Sequence, residues 1–205
     1  MHSISTRILF IVCVWLGLSL IFGSDAKASE SFRTVILDPG HGGRDGGAYH
    51  YGVKEKDANL DVAKRVERLL RARGISVVMT RRTDTYVSLE SRAAIANRYR
   101  SAIFVSIHFN GSTNRSAQGV ESYYYSTKGK SLASSLHRYI AARSGTKNRG
   151  LKRRPYAVLT KTRCTAALVE CGFLSNHWEC KRCASSSYRE TMARAIADGI
   201  CRYKR

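Results

Sequence analysis

Residues 35–48, VILDPGHGGRDGGA, lead a short apolar run directly into a loop that carries five glycines around one histidine, His41. Glycine adopts backbone conformations that cost other residues energy, so this loop is suited to close approach by other groups. Loops that follow strands are also where a rigid scaffold commonly holds reactive side chains. The stretch therefore predicts a strand followed by a functional loop that presents His41.

Apolar strands and amphipathic helices alternate through the rest of the chain. In the predicted helix at 57–73, apolar residues recur on one face and Gly74 follows as a cap. Strands separated by helices predict a single α/β domain with a mainly parallel or mixed sheet flanked by helices, with its site at the carboxyl ends of the strands. The predicted strands are 34–37, 76–80, 102–107, 119–125, 156–160 and 166–170, and the other predicted helices are 88–98, 130–142 and 188–203.

The N-terminus has the pattern of an export signal. Residues 8–23 are apolar and are followed by Ala26-Lys27-Ala28, which is typical of a cleavage site. We expect a signal peptide over residues 1–28 and a catalytic domain over residues 29–205. The alternative is an uncleaved anchor. Both interpretations place the domain outside the cytoplasm, in the periplasm or cell envelope.

The chain is strongly basic, with a formal net charge of +20. Such a charge favours an anionic polymer or surface as a partner. The basic residues are scattered and form no known nucleic-acid module, so we expect no nucleic acid as partner. An acidic polymer of the cell envelope is the expected partner, and part of the charge is explained equally well by a solvated surface.

The five cysteines that follow residue 28 all lie in the last quarter of the chain. Export favours disulfides, and an odd number leaves at least one thiol free or paired between molecules. The spacing of Cys180 and Cys183 predicts a structural disulfide, with a redox site as the alternative. A four-thiolate zinc site would need a second such pair. The five are Cys164, Cys171, Cys180, Cys183 and Cys201.

Metal-binding residue types stand at strand ends and at one helix start. His41 follows the first strand, His108 follows the run AIFVSI, and Glu55 precedes the helix at 57–73. Two histidines and a carboxylate predict a three-ligand zinc site with an open position for water. Glu170, which ends the run AALVE, would then act as a base. The alternatives are a helix-dipole charge for Glu55 and a paired structural carboxylate for Glu170.

The succession of motifs resembles that of zinc-dependent N-acetylmuramoyl-L-alanine amidases of the family-3 type. The resemblance runs from about residue 34 to 200 in the same order. It implies one α/β domain with a twisted sheet, Zn²⁺ held by His41, Glu55 and His108, and Glu170 as the catalytic carboxylate. The motifs are DPGHGGRDGGA, TRRTD, LESRAAIAN, FVSIHFN, GVESYYY and LVECGFLSN.

The implied reaction is cleavage of the amide between N-acetylmuramic acid and the L-alanine of the peptidoglycan stem peptide, in wall remodelling and daughter-cell separation. Asp38 and Asp45 are candidates for orienting the ligands, with a loop-shaping turn as the alternative. The implied partners are peptidoglycan or its precursors and a divisome or activator protein, and the chain is expected to be a monomer. Candidates for a basic rim that attracts stem-peptide carboxylates are Arg44, Lys54, Lys56 and Arg115.

Two other functions stay open at the level of the sequence. Ser144 and Lys147 form an SxxK pattern, which would give a penicillin-sensitive D,D-carboxypeptidase activity in addition. The nearby SxN pattern precedes it, which is the reverse of the usual order. The other alternative is a catalytically idle wall-binding protein, which would have lost a ligand or the base.

Overall fold

A computed structural model describes residues 32–204 of the chain. The signal peptide predicted for residues 1–28 lies outside the described residues, so it and the domain boundary at residue 29 stay predictions. Within the described part, no helix combines the length and the apolar content that a membrane crossing requires. In chain order the elements are β1 (Thr34–Pro39), β2 (Tyr49–His50), β3 (Val53–Lys54), α1 (Glu55–Arg71), β4 (Ser76–Met79), α2 (Leu89–Asn97), β5 (Ala102–Asn110), β6 (Val120–Tyr124), α3 (Thr127–Ser144), β7 (Asn148–Arg153), α4 (Ala157–Thr160), β8 (Thr165–Phe173), α5 (His177–Ala184) and α6 (Ser186–Tyr203).

Six strands form one sheet in the order β4-β1-β5-β8-β6-β7. The strands β4, β1, β5 and β8 are mutually parallel, whereas β6 runs antiparallel to β8 and parallel to β7. The apolar strands β1, β5 and β8 take the central positions because a strand covered on both faces must be apolar on both. The predicted α/β fold with a mainly parallel, mixed sheet flanked by helices is confirmed.

Alternate residues of the central strands build two separate cores. Val35, Val105 and Val169 belong to the larger core, which the long helices α1, α3 and α6 complete. On the opposite face, Ile36 and Phe104 pack with residues of α2 and α4 in a smaller core. Because α2 and α4 are short, this second face is thinly covered, and the site described below lies there.

Two local signals in the sequence placed helix ends correctly. Gly74 has a φ of 71°, which the chain needs to leave α1, and the amide N–H of Ile75 donates to the carbonyl of Leu70 at 3.1 Å. At the start of α2, Ser88 Oγ accepts the backbone N–H of Ser91 at 3.1 Å. Helix α1 begins at Glu55 rather than at residue 57.

The strand predicted at 156–160 is wrong, because these residues form the helical turn α4. Pro155, which lacks an N–H, comes just after the end of β7, and Tyr156 takes the position before the turn. Val158 and Leu159 are buried in the smaller core from a helix instead of a strand. A four-residue apolar run fits both conformations, so its periodicity could not decide between them.

The disulfide expected between Cys180 and Cys183 is also wrong. Both residues lie in α5, a helix that the sequence analysis did not predict, and both are buried in the larger core. All five cysteines after residue 28 are free thiols. Burial raises the pKa of the Cys183 thiol well above its ordinary value, which disfavours the reactive thiolate and a redox role.

Candidate metal centre and active site

The carboxyl ends of the central strands bring the predicted residues together. His108 in β5 and Glu170 in β8 are partners in the parallel register, so their side chains leave the same face of the sheet. The chain leaves β1 through Gly40, whose N–H donates to the carbonyl of Ile107 at 3.0 Å, and then reaches His41. Glu55 arrives from the start of α1. Four residues far apart in sequence thus meet at one edge.

Three of these side chains converge on a common point. Glu55 Oε1 lies 2.8 Å from His108 Nδ1 and 3.2 Å from His41 Nε2. The three ligand atoms all lie within 4.8 Å of one another. Tetrahedral zinc with ligand bonds of 2.0–2.1 Å spaces its ligands about 3.3 Å apart. The donor set and its spacing therefore fit a zinc ion.

The ring of His41 is held in one orientation. Its backbone has a φ of 62°, and its Nδ1 lies 2.8 Å from Asp45 Oδ1. A neutral ring that donates Nδ1–H to Asp45 keeps its lone pair on Nε2, directed at Glu55, which suits a shared cation. Burial alone would lower the pKa of His41, but Glu55 and Asp45 outweigh it and raise the pKa. Asp45 thus has both of the roles that the sequence left open, because it contacts His41 and its Oδ1 also accepts the N–H of Gly47 at 3.2 Å, which shapes the loop.

Glu55 is fixed as an ionised carboxylate. Its Oε2 accepts the N–H of Ala48 at 2.9 Å, and its Oε1 accepts from the side chain of Asn59 at 3.2 Å. Burial would raise the pKa of Glu55, but the hydrogen bonds and charges of His108 and His41 outweigh it and hold the pKa far below its ordinary value. Glu55 can therefore supply a negative charge to a metal at any physiological pH.

Glu170 stands beside this cluster without a partner of its own. Its Oε2 is buried and has no hydrogen-bond partner among the described residues. Burial raises the pKa of Glu170 well above its ordinary value, and the charges of Glu55 and Glu121 raise it further. A carboxyl group in such surroundings takes up a proton readily, which a general base and acid requires.

His41, His108 and Glu170 open into a cavity of about 290 Å³ on the thinly covered face of the sheet. Apolar side chains such as Leu89 and Val158 form part of its wall. A larger cavity of about 770 Å³ lies at the opposite, amino ends of the strands. Among the described residues that line the larger one there is no His, Asp or Glu, so the smaller cavity is the candidate active site.

Two buried arginines, which the sequence analysis did not single out, hold the His41 loop. Arg92 donates to the carbonyls of Pro39 at 2.8 Å and His41 at 2.7 Å. Arg81 donates to the carbonyls of Pro39 at 3.0 Å and Gly40 at 2.9 Å. Arg92 belongs to the motif LESRAAIAN and Arg81 to the motif TRRTD. The sequence signal that could have identified them is an arginine, in each motif, that had no assigned role.

Asp38 acts on the site through one of these arginines. Its Oδ1 lies 2.7 Å from Arg92 Nη1, and both side chains are buried. Thr80 Oγ1 and Ser106 Oγ also donate to its carboxylate, at 2.6 and 2.7 Å. Asp38 therefore positions the loop that carries His41, and Asp45 alone of the two contacts a member of the cluster.

The basic residues near the site have mixed roles. Lys56 donates to Asp84 Oδ2 at 2.6 Å and to the carbonyl of Gly43 at 2.9 Å, so it braces the His41 loop. Arg44 Cζ lies 4.0 Å from the ring centre of Tyr86, and Tyr86 is part of the cavity wall. Arg115 and Lys54 lie at the surface, where Arg115 donates to the hydroxyl of Tyr51 at 3.1 Å.

The alternative nucleophile Ser144 is not available for chemistry. It is the last residue of α3 and is completely buried. Its Oγ donates to the carbonyl of Ala141 at 3.3 Å, within the same helical turn. A substrate could not reach this hydroxyl without unfolding the end of α3, so the structure contradicts a Ser144/Lys147 carboxypeptidase site.

Comparison with known proteins assigns this chain to a family. The Amidase_3 family model, described as N-acetylmuramoyl-L-alanine amidase, matches residues 35–202. The N-acetylmuramoyl-L-alanine amidase LytC of Bacillus subtilis (strain 168) is 37% identical over 177 residues. That match covers 84% of this chain and 36% of LytC, so the chain spans about a third of that relative's length.

Solved structures agree with the sequence comparison. The catalytic domain of CwlV, an N-acetylmuramoyl-L-alanine amidase from Bacillus (Paenibacillus) polymyxa, superposes with a TM-score of 0.81 at 35% identity, covering 84% of this chain and 98% of that one. The CwlD amidase from Clostridioides difficile, solved in complex with the GerS lipoprotein, gives 0.80 at 31% identity, covering 83% and 98%. The chain belongs to the Amidase_3 family of N-acetylmuramoyl-L-alanine amidases.

Proposed function

We propose that this protein hydrolyses the amide between N-acetylmuramic acid and the L-alanine of the peptidoglycan stem peptide, using zinc held by His41, Glu55 and His108. The observation that carries the proposal is the convergence of these three side chains beside the unpartnered carboxyl of Glu170. Family membership supplies the amide bond as the target. A wall-binding protein without activity is disfavoured because all four residues are present and placed together.

Zinc bound at this site would lower the pKa of a water ligand and polarise the scissile carbonyl. The chain's own contribution to that step is the preformed ligand cluster. Asp45 fixes His41, and Asn59 and the N–H of Ala48 fix Glu55, so the ligands need little rearrangement. Glu55 adds one negative charge and the two neutral histidines add none, which leaves a bound Zn²⁺ net positive.

Glu170 moves the proton in this proposal. It takes a proton from the attacking water and delivers it to the departing amide nitrogen, which is a poor leaving group until it is protonated. Burial and the charges of Glu55 and Glu121 raise the pKa of Glu170, which favours uptake of the proton from water. General acid–base groups of this kind contribute about 10²–10⁴-fold to rate.

The surroundings of the cluster suit the two sides of the scissile bond. The apolar wall of the cavity, with Leu89, Val87 and Val158, offers space to the small methyl groups of the lactyl and alanyl units. The net charge of +20 would attract the free carboxylates of stem peptides, with Arg44, which lies over the Tyr86 ring of the cavity wall, as a candidate cation.

The predicted signal peptide and the family support the following proposed biological setting. The protein acts as a monomer in the periplasm or cell envelope, on peptidoglycan or its precursors, in wall remodelling and daughter-cell separation. A divisome or activator protein is a further proposed partner, and the neighbour CwlD, solved in complex with the GerS lipoprotein, supports this expectation.

The test is digestion of purified muropeptides, read by mass spectrometry, with the zinc-loaded protein, with a chelator, and with Glu170→Gln. We expect release of the intact stem peptide from muramic acid, abolition by chelation with recovery on added zinc, and a loss of about 10²–10⁴-fold in the variant. Glu90→Gln, an exposed carboxylate on α2, is the matched control and should keep full activity.

Zinc content separates the roles of the residues. Glu170→Gln should bind one zinc per chain like the wild type, whereas His108→Ala should lose it. Release of a terminal D-alanine that survives chelation would contradict the proposal. So would zinc-loaded protein that binds peptidoglycan and, with or without candidate activators, leaves the amide intact.

A further inference from the structure

A cluster of exposed aromatic side chains, Tyr51, His177 and Trp178, forms a surface that the reaction does not use. We name it the aromatic patch. Trp178 is 73% exposed and Tyr51 is 48% exposed. Large apolar surfaces of this kind cost free energy in water, and contiguous ones mark interaction sites. Tyr49, on the same β2–β3 hairpin, is 62% exposed and extends the aromatic character of this region.

The aromatic patch is organised by contacts among its own members. The ring centres of Tyr51 and His177 are 4.9 Å apart, and those of His177 and Trp178 are 5.4 Å apart, both edge to face. Arg115 holds the Tyr51 hydroxyl at 3.1 Å, and Lys181 Nζ lies 4.9 Å from the centre of a Trp178 ring. Aromatic rings held in this way lose little side-chain entropy on binding a ligand.

The backbone at Tyr51 is set by the two-residue turn, Tyr51-Gly52, that joins β2 to β3. Within residues 32–204, Tyr51 and His41 are the two non-glycine residues with a positive φ, at 51° and 62°. A two-residue hairpin turn of this kind needs a positive φ at both of its residues, and Gly52 has a φ of 80°. The turn places the ring of Tyr51 at the surface, against His177.

The aromatic patch adjoins the proposed active site through the chain itself. The β2–β3 hairpin lies between Ala48, whose N–H binds Glu55 Oε2, and Glu55 itself. Two further segments complete the aromatic patch. The chain that continues from β5 after His108 carries Arg115, and the chain that continues from β8 after Glu170 carries His177 and Trp178. Hydrogen bonds between these two continuations link Ser112 N–H to Ser175 Oγ at 3.0 Å, and Asn176 Nδ2 to the Arg115 carbonyl at 3.0 Å.

We propose that the aromatic patch binds the glycan strand of peptidoglycan, on sugars that flank the N-acetylmuramoyl residue in the active site. The proposal rests on the function proposed above, which places a muramoyl residue at this edge of the sheet. Aromatic faces pack against the C–H faces of pyranose rings, and the hydroxyl, imidazole and indole N–H groups bind sugar hydroxyls.

The place of the aromatic patch beside the proposed active site favours a sugar over other partners. Tyrosine, tryptophan and arginine are also common at protein interfaces and membrane surfaces, so the choice of partner rests on the hairpin that leads from Tyr51 directly to Glu55. The exposed apolar residues of the aromatic patch are a tyrosine and a tryptophan, and Arg115 and Lys181 at its rim add hydrogen-bond donors for hydroxyl and N-acetyl oxygens.

Substrate length tests the proposal in the full chain. Trp178→Ala should lower kcat/KM on polymeric peptidoglycan about tenfold and leave kcat/KM on a muramoyl-peptide monosaccharide unchanged. Tyr99→Ala, which removes an exposed tyrosine remote from this edge, is the control and should match the wild type on both substrates. Equal losses of Trp178→Ala on both substrates would show a general structural defect and overturn the proposal, as would no loss on the polymer.

Binding without catalysis gives an independent measurement. In the full chain with Trp15→Phe, Trp178 is the sole tryptophan, so its fluorescence reports on the aromatic patch. Peptide-free glycan strands should cause a saturable change in its emission. No response to the strands would overturn the proposal, and a response to phosphatidylglycerol/phosphatidylethanolamine vesicles alone would assign the surface to a membrane. Because this titration needs no amide cleavage, it distinguishes failure of glycan binding from failure of the proposed reaction.

Discussion

At the scale of single residues, the candidate metal site formed by His41, Glu55 and His108 depends on how closely the backbone approaches the histidine rings. A Cβ built on Gly40 would lie 2.1 Å from His108 Cε1 and 2.2 Å from His108 Nε2. No side chain other than hydrogen therefore fits at residue 40 while His108 keeps its place. Gly47 is constrained in a similar way, with a φ of 65° and Glu55 Oε2 only 2.5 Å from such a Cβ.

Gly40→Ala tests this close approach, with Gly46→Ala as the matched control from the same loop. A Cβ at Gly46 would have no neighbour within 4 Å. We expect Gly40→Ala to lower the free energy of unfolding by about 1–3 kcal/mol, the usual cost of overpacking, and to weaken zinc binding because His108 must move. Urea unfolding and zinc titration measure the two effects. Zinc affinity equal to that of Gly46→Ala would contradict this account of the loop.

At the scale of the elements, buried charges connect strands that are distant in the sequence. Glu121 in β6 is the register partner of Glu170 in β8, and it is buried. It accepts hydrogen bonds from Asn110 of β5 at 2.7 Å and from Arg149 of β7 at 2.8 Å, and also from Lys152 and Tyr123. One carboxylate therefore joins the antiparallel part of the sheet to the strand that carries His108.

The stability of the sheet should depend on pH through Glu121. Burial would raise the pKa of Glu121, but hydrogen bonds from Lys152, Tyr123 and Arg149 outweigh it and hold the pKa below its ordinary 4.5. The folded state thus binds this proton less readily than the unfolded chain, so the stabilisation is present above pH 4.5 and is lost as the pH falls below it.

Glu121→Gln tests this linkage by urea unfolding from pH 7 to pH 3. The variant should lose about 1–3 kcal/mol at pH 7, as expected for hydrogen bonds to a charged group, and its stability should fall less steeply than that of the wild type below pH 4.5. Asp57→Asn, an exposed carboxylate on α1, should follow the wild-type curve. A variant whose curve runs parallel to the wild type at low pH would show that Glu121 is not responsible.

At the scale of the whole molecule, the two faces of the sheet differ: one holds most of the hydrophobic core, and the other holds the candidate site. The face under α1, α3 and α6 carries the larger core, while the face under α2 and α4 carries the smaller core and the metal cluster. The cluster joins residues of β5, the His41 loop and α1. A bound ion should therefore stabilise the folded state as a whole.

Removal of the metal should accordingly lower the melting temperature of the entire domain. Zinc at a free concentration of about 100 times its dissociation constant adds about 2.7 kcal/mol to the free energy of unfolding, provided the unfolded chain does not bind it. Thermal unfolding in buffered zinc and in chelator measures the difference. His108→Ala should unfold at the same temperature in both conditions. An equal zinc effect in this variant would place the ion elsewhere.

The sequence predicted the central strands from their strongly apolar runs, and the cap residues Gly74 of α1 and Ser88 of α2 from their residue types. It also predicted the four residues of the candidate site, because each stands at the end of a predicted strand or at the start of a predicted helix. It failed where local pattern was ambiguous. Residues 156–160 fitted helix and strand equally, the polar edge strand β7 had no apolar pattern, and the spacing of Cys180 and Cys183 suggested a disulfide where the fold has a buried helix face.

The sequence by itself determined which reactive side chains the candidate site contains, since residue types and their order along the chain specify two histidines, two carboxylates and a glycine-rich loop. Only the tertiary structure decided what supports and surrounds them. Strand register and packing between distant segments decide these contacts. They include the hydrogen bonds from Arg81 and Arg92 to the His41 loop, the pairing of Glu121 with Glu170, and the contact of Tyr51 with His177. Such contacts leave no periodic trace in the sequence, because they arise only when the chain has folded.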